Sequence, residues 1–175
     1  MRLAASVFGV GLSAAVWAAP TTARAFERQW HVGAALGAAS GKGLGLSPAA
    51  GAYAAYGLSD AFDARVELSA RGYDLAKSAH PNALSAMAGV AYKLDVLRWV
   101  PWAGAYAGYL TFLDTPPVGS AFKAHDVALG LGVGLDYAFS RSLGAGATLR
   151  FDQALSRSSA TSFEALLRVE YRWGW

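Results

Sequence analysis

Acid–base chemistry in this chain would have to start from three histidines, His31, His80 and His125. A histidine that activates a nucleophile needs a hydroxyl or thiol within hydrogen-bond reach. In an extended segment that means a spacing of two, because alternate residues share a face. His31 is followed two places on by Gly33, His80 by Asn82 and His125 by Val127, so no histidine has a serine at that spacing. His125 is next to Asp126, but neighbours in a strand point to opposite faces and do not form a dyad. There is no cysteine, which removes thiolate metal sites and disulfides. Asp114, Asp126 and Asp152 lack the spacing of a calcium loop. Gly41-Lys42-Gly43-Leu44-Gly45 is rich in glycine but precedes no helix, so it does not suit phosphate cradling and reads as a mobile surface loop. No catalytic residue, cofactor or metal is expected.

The other residues able to do work are charges in two ladders. Between Phe163 and Trp175, Phe163, Ala165, Leu167, Val169, Tyr171, Trp173 and Trp175 alternate with Glu164, Arg168, Glu170 and Arg172. Between Ala61 and Tyr73, Phe62, Ala64, Val66, Leu68 and Ala70 alternate with Asp63, Arg65, Glu67, Ser69 and Arg71. A period of two marks a strand with one apolar and one charged face. Two further segments alternate with glycine: Val127 to Tyr137, and Leu143 to Phe151, where Arg150 lies on the polar side.

Those ladders belong to a series of eight strand-like segments: Trp30–Ala39, Ala49–Leu58, Ala61–Tyr73, Ala83–Leu94, Pro101–Phe112, His125–Ala138, Leu143–Asp152 and Ser162–Trp175. The second and fifth are rich in Ala, Gly and Tyr, and their facing is ambiguous. Connections alternate between short (Ser59-Asp60, Asp95–Val100, Phe139–Ser142) and longer, Gly-, Pro- and Ser-rich (Ser40–Pro48, Asp74–Asn82, Leu113–Ala124, Gln153–Thr161). Short turns on one side and longer loops on the other is the asymmetry of outer-membrane barrels, with the termini and tight turns in the periplasm.

Composition agrees with strands that show one face to lipid. The 175 residues are 54% hydrophobic and 15% charged, against about 25% charged in an ordinary soluble domain. Residues 1–25 read as a cleavable signal peptide. Arg2 leads an uncharged run from Leu3 to Ala19, and Ala23-Arg24-Ala25 fits the cleavage pattern, with Ala18 and Ala19 as other possible cut sites. The competing reading is a membrane anchor. Cleavage after Ala25 leaves residues 26–175 as one barrel domain with thirteen basic and twelve acidic side chains. That net charge of +1, with no basic run, gives a nucleic acid no footing. No run of about 18 apolar residues remains for a spanning helix.

A secreted lipocalin-type barrel also alternates, with its apolar face inward. Three features favour lipid outside. The polar face is rich in glycine, which suits a crowded eight-stranded interior. Aromatic residues gather at segment ends, as in interfacial girdles. Tyr56, Phe62, Tyr92, Trp99, Trp102, Tyr137, Phe139, Tyr171 and Trp173 lie on the proposed periplasmic side, and Tyr73, Tyr109, Phe112, Phe122, Phe151 and Phe163 on the other. The last strand carries Val169, Tyr171, Trp173 and Trp175 in alternation and ends on the last of them.

In those residues, and in the turn Tyr56-Gly57-Leu58-Ser59-Asp60-Ala61-Phe62, the chain resembles the small eight-stranded outer-membrane β-barrel family of the OmpA/OmpX type. The resemblance implies an all-β, eight-stranded antiparallel up-and-down transmembrane barrel in the cell outer membrane. It implies recognition of the terminal strand by the barrel-assembly machinery, and membrane lipids as surroundings. Some such barrels deacylate lipid A with a His-x-Ser pair, a spacing absent here.

The lumen charges Asp63, Arg65, Glu67, Arg71, Arg150, Glu164, Arg168, Glu170 and Arg172 then read as a structural plug. Antiparallel matching of heights predicts Asp63–Arg172, Arg65–Glu170, Glu67–Arg168 and Arg71–Glu164. The loop cations Lys42, Lys77, Lys123 and Arg157 read as a solvated rim, with lipopolysaccharide phosphates as the sharper alternative. The expected role is structural or surface-interactive, for a monomer with a closed lumen and no enzymatic activity. A lipid- or small-molecule-binding barrel is the alternative, and a lipid-modifying enzyme is third.

Overall fold

A computed structural model describes residues 27–72, 83–94, 98–113, 121–156 and 160–174. Eight strands run in chain order: β1 (Trp30–Gly41), β2 (Leu44–Gly57), β3 (Phe62–Arg71), β4 (Ala83–Lys93), β5 (Trp99–Phe112), β6 (His125–Ala138), β7 (Leu143–Ala154) and β8 (Thr161–Trp173). Each pairs antiparallel with its neighbours, and β1 pairs with β8 to close the barrel. Closure leaves no strand edge with unpaired amides, which is what a lipid environment demands. No helix among the described residues is long and apolar enough to cross a membrane.

Register decides which residues face inward. Apart from Leu44 beside the β1–β2 turn, odd-numbered residues point inward along β1 to β4, and even-numbered ones along β5 to β8. The parity changes at two seams. Met87 sits opposite Gly108 between β4 and β5, and Ala34 opposite Val169 between β8 and β1. Pairing odd with even carries one face around the whole barrel, whereas a slip of one residue would turn charges toward lipid.

The facing of β2 and β5 is thereby settled. Tyr53 on β2, and Trp102 and Tyr106 on β5, are buried in the lumen. Trp102 therefore does not belong to the basal girdle in which the sequence placed it. Phe112 and Phe122 are likewise buried, against each other at 5.8 Å between ring centroids, and do not join the outer girdle. End position and period cannot separate an aromatic facing lipid from one facing inward when both faces carry small residues.

The rest of the basal girdle faces outward and is nearly continuous. Trp30 packs on Tyr56 at 4.9 Å and on Trp173 at 6.5 Å, Phe62 on Tyr92 at 5.2 Å, and Trp99 on Tyr137 at 4.9 Å. Above it the wall is apolar, with Leu131, Leu149, Leu167 and Val169 all exposed.

The β1–β2 connection departs from expectation. The stretch Ser40–Pro48 is not a long loop, and Gly41–Gly45 is not a surface loop. Both strands continue through it to a two-residue turn at Lys42 and Gly43, with a register irregularity between Ala39 and Gly41. Gly43 has φ of 76°, open to glycine without strain and typical of such hairpins. The other connections at that end span residues 72–82, 113–124 and 155–160, against 58–61, 94–98 and 139–142 at the base. Two basal turns share one device. Ser59 Oγ accepts the Ala61 and Phe62 amides at 3.3 and 3.2 Å, and Ser140 Oγ accepts those of Ser142 and Leu143 at 3.2 and 3.0 Å.

Glycines on the inner face make room for the lumen aromatics. A Cβ on Gly134 would lie 2.4 Å from Trp102 Nε1, and one on Gly33 would lie 2.3 Å from the Tyr53 ring. Gly134→Ala should therefore cost about 1–3 kcal/mol through overpacking. Thermal unfolding in detergent micelles checks it, and an unchanged midpoint would show that Trp102 can move aside.

Candidate functional site

The lumen is where the charged side chains converge. The nine sequence-assigned charges, Asp63, Arg65, Glu67, Arg71, Arg150, Glu164, Arg168, Glu170 and Arg172, are all buried and on the inner face. Lys93, Asp126, Asp136 and Asp152 join them, which makes six cations and seven anions among the described residues. The near balance matters because each buried charge needs a partner.

Arg150 and Arg71 form the upper part of the network. Arg150 lies 2.9 Å from Glu67, 2.8 Å from Glu164 and 3.2 Å from Asp152, and also donates to Ser69 and Ser85 at 3.2 and 3.1 Å. Arg71 contacts Glu164, lies 2.6 Å from Asp152, and donates to Ser162 at 2.8 Å. Ser69 donates to Glu164 at 2.9 Å. Two arginines thus share two carboxylates, Asp152 and Glu164, and serine hydroxyls add further hydrogen bonds.

At mid-height two guanidinium groups lie against two aromatic rings in the lumen. Arg65 lies 4.3 Å from the Trp102 centroid and 5.1 Å from that of Tyr53. Arg168 lies 4.7 and 4.9 Å from the same two rings. Each aromatic face attracts the cation beside it. Arg168 also makes a two-pronged contact with Asp136, its Nε donating to Oδ1 at 2.7 Å.

Toward the base, Lys93 Nζ sits 2.7 Å from Asp63, and Arg65 bridges Asp63 at 3.5 Å and Glu67 at 3.6 Å. Arg172 contacts Glu170. Glu170 also accepts from Tyr53 at 2.6 Å and faces His31 Nδ1 at 3.2 Å.

Of the four expected cross-barrel pairs, the structure forms Arg71–Glu164. The other three are replaced. Asp63 takes Lys93 and Arg65 instead of Arg172. Arg65 takes Asp63 and Glu67 instead of Glu170. Glu67 takes Arg150 and Arg65, while Arg168 takes Asp136. Counting heights on two strands omits the stagger that closure imposes, and it overlooks nearer partners on β4, β6 and β7. Alternation puts Asp136 and Asp152 on the inner faces of β6 and β7 but assigns them no partner. Lys93, His31 and the lumen rings carried no sequence signal beyond their parity.

Above the network an apolar cap fills the mouth. Leu44, Leu110, Phe112 and Phe122 are buried together there. Phe122 comes from the connection between β5 and β6, and the Phe112 amide donates to Ala124 O at 2.8 Å, which holds that segment over the barrel.

The rim carries a hydroxyl–imidazole pair that spacing did not reveal. Thr111 Oγ1 lies 2.7 Å from His125 Nδ1, brought there by the β5–β6 register, and Tyr109 stacks on His125 at 6.2 Å. Among the described residues His125 has no carboxylate partner. Asp126 points inward and accepts from Ser156. Val169, Tyr171 and Trp173 face outward on β8. Residues 1–25, read from the sequence as a signal peptide, and Tyr73, Lys77, His80, Asp114, Arg157 and Trp175 lie outside the described residues.

No protein-family model and no curated protein matches the chain. Solved structures do. The N-terminal β-barrel domain of Pseudomonas aeruginosa OprF is similar with a TM-score of 0.61 at 14% identity, covering 84% of this chain and 98% of that one. The fold is that of the small outer-membrane β-barrels. Neisserial surface protein A aligns with a TM-score of 0.63 at 18% identity, over 82% of this chain and 95% of its own. A de novo designed transmembrane β-barrel gives 0.55 at 13% identity, over 84% and 97%. The inward charges and exposed apolar wall give the barrel described here the inside-out arrangement of a membrane barrel, opposite to that of a lipocalin.

Arg168→Ala should destabilise the barrel by about 3–5 kcal/mol, because it leaves Asp136 buried and uncompensated. Adding Asp136→Asn should recover part of that loss. Thermal unfolding of both variants in detergent measures the coupling, and strictly additive effects would mean that the pair does not interact.

Proposed function

We propose that this chain is an outer-membrane barrel with a structural or surface-interaction role, and that its lumen is sealed against solutes. One observation carries the reading: paired charges and rings fill the lumen from Asp63 to Arg71, and Phe112 and Phe122 cap it. A barrel of eight strands has an interior just wide enough for side chains to fill, whereas pores use sixteen or more. The apolar wall and basal aromatic girdle support residence in the bilayer.

The protein acts as a monomer surrounded by outer-membrane lipids. The alternating residues Val169, Tyr171, Trp173 and Trp175 serve as the signal to the barrel-assembly machinery. Surface contact falls to the rim, where Lys42 and Lys123 are exposed and lipopolysaccharide phosphates are the candidate partners. The protein has no enzymatic role on this reading: the Thr111–His125 pair resembles a nucleophile with its base, but among the described residues no third group orients the ring. A lipid-binding role is the second reading, favoured by an apolar groove on the outer wall.

Single-channel recording in planar bilayers tests the sealed lumen. Pure protein should give no stable conductance steps, and a reproducible unitary conductance would overturn the plug.

A further inference from the structure

A groove of about 510 Å³ opens on the outside of the barrel across β2 to β5. Its floor is alanine: Ala50 and Ala70 are register partners, and Ala52 and Ala86 flank Leu68 in the next row. Leu68, Leu84 and Tyr109 line it and are exposed. The opposite side of the barrel has no such run of alanines, because β6, β7 and β8 place Leu131, Leu149 and Leu167 at the corresponding outward positions.

The groove has a direction. It crosses three inter-strand gaps, about 14 Å at the usual strand spacing. Thr111 at one end stands twelve positions above the first residue of β5, whereas Ala50 at the other stands seven above the last residue of β2. The groove thus falls from the rim that bears the longer connections toward mid-wall. Its upper end is the only polar part. The Thr111 hydroxyl holds one His125 ring nitrogen, leaving the other uncommitted among the described residues, and Lys123 is exposed two residues away.

We propose that this groove seats one phosphate-bearing lipid of the outer leaflet. An acyl chain lies over the alanine floor, and the phosphate is held at Thr111, His125 and Lys123. An apolar trough inside a bilayer is filled by acyl chains, and the cationic, hydrogen-bonding cluster at its upper end selects a chain that carries an anionic head. A second copy of this barrel would bury the floor equally well but would leave that cluster without a counter-charge. The site rests on the reading that this wall faces lipid, which a separate observation tests: the protein should need detergent for extraction from membranes.

The experiment titrates detergent-purified full-length protein with dimyristoylphosphatidylglycerol and, separately, dimyristoylphosphatidylcholine, counting bound lipid by native mass spectrometry. One phosphatidylglycerol per chain should bind in preference to phosphatidylcholine. Lys123→Gln should weaken the phosphatidylglycerol adduct about fivefold, the usual worth of one cation near an anionic headgroup, and leave the phosphatidylcholine adduct unchanged. Ala86→Leu, which fills the groove, should remove the preferred adduct of both lipids. Ala147→Leu on β7 should change neither. If Ala86→Leu does not insert, Ala52→Leu and the rim variant carry the same test. Equal adducts of the two lipids, or a 1:1 phosphatidylglycerol adduct that survives groove filling, would overturn the proposal. So would a two-chain species that Ala86→Leu dissociates and lipid does not.

Discussion

Everything in this barrel follows from the pairing of β1 with β8. A sheet in hydrocarbon cannot leave a row of amides and carbonyls unpaired, so the eight strands must close. The closing ladder runs from Trp30 opposite Trp173 to Gly41 opposite Ser162. Once that register is set, side chains have two destinations only. Leu167, Val169 and Tyr171 go to lipid, and Glu164, Arg168 and Arg172 go to the lumen. The odd–even seams at β4–β5 and β8–β1 are the local price of keeping one face apolar all the way round.

The lumen then has to hold thirteen charged side chains among the described residues. Three devices make this possible. Carboxylates are shared between arginines, as Glu164 is between Arg71 and Arg150. The guanidinium groups of Arg65 and Arg168 also lie against Tyr53 and Trp102. Glycines such as Gly33 and Gly134 withdraw the wall so that the rings fit. The network therefore depends on small residues that carry no charge. Without them the rings would be displaced, and the arginines with them.

A designed transmembrane barrel shares this architecture as fully as the natural ones do. Closure and alternation are requirements of the environment, and they say little about a physiological role. What distinguishes this chain lies where the environment leaves freedom: the alanine-lined side of the wall, the Thr111–His125 pair, and the Phe122 cap over the mouth. These are features of one side and one end, while the inward charges are a feature of the whole.

Much of the fold was legible in the sequence, because a period of two is local. β6 has the same ends in both readings, and all nine assigned charges face inward. The facing of β2 and β5 was not legible, because alanine, glycine and tyrosine occur on both faces there and give no contrast. The hairpin at Lys42-Gly43 was hidden for a similar reason, since glycine, serine and proline mark a loop as readily as a strand near its turn. Partner choice was the larger gap. Alternation determines a residue's face and nothing about its neighbour across the lumen, which depends on stagger and on strands distant in sequence. So the sequence by itself determined eight strands, an apolar exterior and a charged interior. Only the closed structure decided that Asp63 meets Lys93, that Arg168 meets Asp136, and that Trp102 lies between two arginines, because those contacts exist only once every register around the ring is satisfied together.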